Sequence, residues 1–80
     1  MMYHIQHLTY DEAVEKAKTE ATRWRCNFIV FRGPDGTFSY CPGSYAKPAD
    51  DFIATLRVKP AYGQWNGSRL VETQSVENIL

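Results

Sequence analysis

Net charge is the first thing this 80-residue chain lacks: nine lysines and arginines are matched by nine aspartates and glutamates. No long-range field therefore steers it toward nucleic acid or an anionic membrane surface, and only local patches remain. No apolar run approaches the ~18–20 residues that span a bilayer. The opening MMYHIQHLTY has no basic segment followed by an apolar core, so no secretory signal is expected. Cysteine is scarce. Cys26 and Cys41 stand in no C-x-x-C spacing and, without a signal, are expected as free thiols in a reducing compartment. That places the protein in the cytoplasm, where the Asn66-Gly67-Ser68 glycosylation triplet is a chance match. Repeats, low-complexity tracts and linkers are also missing.

The motifs of catalysis are missing too. His4, His7, Cys26 and Cys41 could supply four zinc ligands, but a strand would point His4 and His7 to opposite faces. No Gly-x-Ser-x-Gly elbow places a nucleophile. Asp11-Glu12 falls in the first turn of a helix, where negative charge is favourable without catalysis. Asp50-Asp51 lies beside a loop and reads as solvated. Gly33-Pro34-Asp35-Gly36 lacks the helix and lysine of a phosphate-cradling loop. Neither catalytic residues nor a metal or cofactor is expected.

What is present is bulk. Apolar residues make up 44% of the chain and eleven residues are aromatic, which argues against disorder. Eighty residues make one domain with a stability margin of a few kcal/mol. Its clearest local signal is Phe28 to Cys41, two apolar arms around Gly33-Pro34-Asp35-Gly36. Pro34 and Asp35 suit the centre of a type I turn, and Gly36 can close it with a G1 bulge. That register sets Arg32 opposite Phe38, Val30 opposite Tyr40 and Ile29 opposite Cys41. Phe28, Val30, Arg32, Phe38 and Tyr40 then share one face; Ile29, Phe31, Ser39 and Cys41 share the other. Neither face is polar, so one should meet a helix and the other a later segment or a partner.

Upstream, Tyr3–Leu8 reads as an edge strand. Thr9 and Glu12 form a Thr-x-x-Glu capping box, with Leu8 placed to staple against Ala13. Tyr10, Val14, Ala17, Ala21 and Trp24 draw one apolar stripe along a helix from Tyr10 to about Arg25, stopped by Asn27. Downstream, Pro42–Pro48 is a loop. Residues 50–59 suit a turn leading into a strand, on the alternation of Phe52, Ala54, Leu56 and Val58, although a short helix also fits. Asn66-Gly67 predicts a second hairpin between Tyr62–Trp65 and Ser68–Glu72. Residues 73–80 are expected to form a helical turn or to fray. The expected fold is α+β, in the order β-α-β-β-β-β. It is one antiparallel sheet of about four to five strands with one long amphipathic helix on one face.

A capped helix at Thr9-Tyr10-Asp11-Glu12-Ala13 followed by the Gly33-Pro34-Asp35-Gly36 hairpin, in a small neutral chain, resembles the short accessory proteins of phages and prophages. Among these are the anti-CRISPR proteins. The likeness is one of general form over most of the chain and assigns no role to any single residue. It implies a non-catalytic inhibitor that covers a functional surface of a host nuclease or defence complex. The residues support protein binding independently, because one thin helix shelters few rings. Tyr45, Tyr62 and Trp65 fall in loops or at strand ends, with Arg32 or Arg69 near them, and Tyr, Trp and Arg dominate interface hot spots. An exposed edge could also join two copies as a homodimer. The alternative is a single-stranded nucleic-acid binder using rings interleaved with cations, as in Arg23-Trp24-Arg25. An uncharacterised small enzyme comes third.

Overall fold

Thr9 begins the first element. In the computed structural model, which describes residues 5–45 and 47–80, α1 (Tyr10–Trp24) opens with the expected capping box. The Glu12 amide donates to Thr9 Oγ1 at 3.2 Å, and the Thr9 amide donates to Glu12 Oε1 at 3.0 Å. The Thr9 amide holds the Glu12 carboxyl below its ordinary pKa. Its share of stability is present above the usual carboxylate range and is lost as pH falls through the lowered value. Replacing the cap by alanine (Thr9→Ala) is expected to cost about 1 kcal/mol, read as a lower urea midpoint at neutral pH.

Two expectations for α1 need correction. Arg25, at φ 57° and ψ 42°, is the left-handed stop in place of Asn27. The helix therefore ends earlier, leaving Cys26 and Asn27 to carry the chain into β1 (Phe28–Arg32). The buried stripe is Ala13, Ala17 and Ala21, with Val14 only half-buried. Trp24 stays in water, its indole N–H donating to Glu20 Oε2 at 2.7 Å and its ring 5.5 Å from the Arg23 guanidinium. A row of alanines lets the helix axis approach the sheet more closely than a tryptophan would permit.

The first hairpin has the expected register. β1 pairs with β2 (Phe38–Pro42), setting Arg32 against Phe38, Val30 against Tyr40 and Ile29 against Cys41. Gly36 takes φ +82°, and the Gly36 and Gly33 amides donate to Gly33 O and Thr37 O. β3 (Ile53–Val58) adds antiparallel to the other side of β1, and β6 (Val76–Asn78) adds to β3. The sheet order is β2-β1-β3-β6, with α1 on one face. The tail expected to be helical or frayed thus supplies an edge strand, held by pairing with Leu56–Val58 and by the Arg57–Glu77 ion pair.

Of the expected edge strand at Tyr3–Leu8, the described residues 5–8 form no strand. Tyr3 and His4 lie outside the described residues, and of the rest only Leu8 pairs, as a bridge to Phe38. Gln6 makes a side-chain substitute for a ladder. Its Oε1 accepts from the Tyr40 amide, while Ser39 Oγ donates to Gln6 O at 2.6 Å and accepts from Gln6 N.

Each sheet face carries a core. Under the helix, Ala13, Ala17 and Ala21 meet Phe28, Val30, Leu56 and Val58. On the far face, Phe31, Cys41 and Phe52 pack with Ile29, Tyr45, Ala49 and Ala54, so the chain covers that face itself, through Tyr45, Ala49 and Phe52. The alternation read in Phe52–Val58 does not keep one face. Val30 faces Leu56 but Phe31 faces Ala54, so Thr55 is the extra residue of a β-bulge, its hydroxyl donating to Val30 O at 3.0 Å. The bulge sends Phe52 and Ala54 to the far layer and Leu56 and Val58 to the helix layer.

The largest correction is a second sheet. β4 (Tyr62–Asn66) and β5 (Arg69–Thr73) pair only with each other, inserted between β3 and β6. The turn lies one residue later than Asn66-Gly67 suggests. Asn66 pairs with Arg69, and Gly67 at φ +68° is the first of two loop residues. This is the glycine-first turn that matches strand twist.

Candidate functional site

The β4–β5 hairpin stands away from both cores, and every residue of its two strands is exposed. Its sequence explains why. Tyr62-Gly63-Gln64-Trp65-Asn66 puts one aromatic ring on each face, so neither face is apolar enough to lie on a core. Tyr62, Gln64, Val71 and Arg69 share one face; Trp65, Leu70 and Gly63 share the other. Tyr62 is 57% exposed and Trp65 70%. A ribbon of five pairs is about 17 Å long.

Two strands alone are marginally stable in water, so the base of the arm is clasped. Gln74, half-buried, donates from Nε2 to Lys18 O at 2.9 Å, Lys59 O at 3.0 Å and Thr22 Oγ1 at 3.3 Å. The Ala61 amide donates to the same Thr22 hydroxyl at 2.9 Å, and the Lys59 amide to Ser75 O at 3.0 Å. Both legs are thereby tied to the last turns of α1.

The five residues expected to form a binding patch do not converge. Tyr62 and Arg69 share one arm face, while Trp65 is on the other. Arg32 is exposed beside Ile53 and Phe38, at the end of the sheet opposite the Val58–Val76 pair from which the arm leaves. Tyr45 is half-buried in the far-face core. Sequence reasoning missed Leu70 and Val71, both exposed, and the Thr22–Gln74 clasp. The signal for Leu70 and Val71 was available: the one-ring-per-face pattern of β4 implies that its partner strand is also uncovered.

Other constellations disperse. Cys26 packs on the helix layer and Cys41 in the far layer, so the two free thiols lie on opposite faces of the sheet. His7 sits at the hairpin turn, Nδ1 3.1 Å from Asp35 Oδ2. Thr37, through its hydroxyl and amide, holds the Asp35 carboxyl below its ordinary pKa. His4 lies outside the described residues. Among the described residues no group of three or more His, Cys, Asp or Glu is placed to hold a metal. No helix among them is long and apolar enough to cross a membrane. Burial pushes the Cys41 thiol up to about 11, while Cys26 is half-exposed. One equivalent of a thiol reagent is therefore expected to react with the native protein and a second only in denaturant. Two fast equivalents under native conditions would contradict the burial of Cys41.

Compared with known proteins, the chain matches no protein-family model, no curated protein and no solved structure.

Proposed function

We propose that the chain is a non-catalytic protein-binding module that docks through the β4–β5 arm. In the reading that fits its general form, it is an inhibitor that covers a functional surface of a host nuclease or defence complex. One observation carries the proposal: Tyr62, Trp65, Leu70 and Val71 stand in water on a hairpin whose legs are fixed to the helix. Leaving large side chains exposed forgoes ~1.5–3 kcal/mol each of burial, and the arm carries two such pairs, Tyr62 with Val71 on one face and Trp65 with Leu70 on the other, which suits it to a partner. The main sheet is poorly suited to stacking bases, because the helix covers one face and Tyr45, Ala49 and Phe52 cover the other. Phe31 is buried and Tyr40 half-buried.

The test separates protein from nucleic acid. A labelled single-stranded oligonucleotide titrated at low and moderate salt is expected to bind no tighter than background. Micromolar binding with a steep salt slope would move the assignment to nucleic acid. Tyr62 would then be the stacking ring, with Arg69 at the other end of the same arm face as a phosphate contact.

A further inference from the structure

We propose that the arm also joins two copies of this chain: β4 pairs antiparallel with β4 of a second copy, centred on Gln64, and the two arms become one four-stranded sheet. The inference rests on the arm being a protein-binding surface and names one of its partners.

Strand edges select the pair. The outer edge of β2 is occupied by Gln6 and Leu8. β6 is three residues long, and antiparallel self-pairing about its centre would set Glu77 against its own copy, a like-charge juxtaposition that blocks association. β5 carries Arg69 and Glu72. Closure by a two-residue loop makes Asn66 and Arg69 a hydrogen-bonded pair. By alternation, Leu70 and Glu72 turn their free peptide groups outward, and self-pairing there would set Leu70 against a charged Glu72. β4 has none of these defences. It holds no charge, no proline and no register shift. Its outward peptide groups belong to Gly63 and Trp65 by the same alternation.

A two-fold axis through Gln64 makes those groups meet. Gly63 of each copy opposes Trp65 of the other, the two Gln64 amides face each other, and Tyr62 opposes Asn66. Gly63 leaves its backbone bare on this face except for Leu70, whose Cδ1 lies 2.9 Å from where a Cβ would stand. A tryptophan from the second copy can lie over that strip of backbone, as aromatic residues cover edge glycines elsewhere. Trp65 and Leu70 of both copies then form one apolar cluster, and the Tyr62–Val71 face is doubled in width for a further partner. At roughly 200 Å² per ring, Trp65 leaves about 140 Å² of aromatic surface in water on each copy. With Leu70 and the paired backbone, two copies would bury less than the ~1,200 Å² of a stable specific interface, which makes the dimer weak and reversible.

The experiment is sedimentation velocity of the full chain from micromolar to near-millimolar concentration. The mass is expected to rise toward twice the monomer's. Gln64→Lys sets two like charges across the axis at an exposed site and should weaken association at least about tenfold, with unchanged circular dichroism. Mixing Gln64→Lys with Gln64→Glu should restore it. A protein monomeric throughout, or a dimer indifferent to Gln64→Lys, overturns the proposal while leaving the arm free to bind a different protein. An arm-dependent dimer whose capture of host proteins does not require Tyr62 would keep this proposal and remove the inhibitor reading.

Discussion

Substituting alanine for Tyr62 and Trp65 together is expected to weaken capture of the arm's partner about 100-fold while leaving the domain folded. Interface hot spots of this residue type cost ~2 kcal/mol or more each, about 30-fold, and their effects are not additive, so about 100-fold lies between one such loss and the product of two. The cost to folding is small for a structural reason. Both side chains are exposed and neither joins the clusters that hold the sheet to α1 or to Tyr45, Ala49 and Phe52. The cross-strand contact of Trp65 with Leu70 is worth ~0.2–1 kcal/mol and its loss would be felt within the arm. The measurement pairs binding of a captured host protein with thermal unfolding of each variant. Undiminished capture by a folded double variant would take the binding surface off the arm. Weakened capture accompanied by a collapsed unfolding transition would mean that the arm supports the fold.

The opposite behaviour is expected of Phe28. It is fully buried in the helix-layer core with Ala13, Ala17 and Ala21, paired across the sheet with Val58, and Tyr40 is tilted against its ring at 6.1 Å. Truncation to alanine in such a site costs ~3–5 kcal/mol, because the alanine row opposite has no side chain long enough to refill the space. That equals or exceeds the margin expected of an 80-residue domain. Phe28→Ala should therefore be largely unfolded at 25 °C, with weak far-ultraviolet dichroism and no cooperative urea transition. Phe28→Leu, which keeps most of the volume, should still fold with a lowered midpoint. A Phe28→Ala protein that unfolds cooperatively within about 1 kcal/mol of the parent would show that the helix layer is not the main source of stability.

These two sites differ in how far they could be read from the chain. Phe28 was partly legible. Gly33-Pro34-Asp35-Gly36 sets its register and the residues that share its face, but which face meets the helix depends on the alanine row at 13, 17 and 21 and on Leu56 and Val58, distant in the chain. The arm was half legible. Its turn and strands follow from Asn66-Gly67-Ser68 and the flanking residues, but nothing nearby says whether a hairpin joins an existing sheet. That depends on whether β3 has a free edge, and β6 takes it. β6 in turn has no sequence signature, since Val76-Glu77-Asn78 is too short to show a period. Thr55 illustrates a second blind spot. Strict alternation from Phe52 to Val58 reads as one face, and only pairing with β1 reveals the residue that changes layers. Tyr45 and Arg32 were grouped with the arm by residue type, and a loop position does not tell a ring turned onto the sheet from one turned to solvent.

Val58 and Val76 are directly paired as one rung, and the Lys59 amide donates to Ser75 O just beyond them. A tight reverse turn between Lys59 and Ser75 is therefore expected to replace the whole projection and leave the four-stranded sheet closed. The rung is also a natural splice point at which foreign recognition hairpins could be grafted.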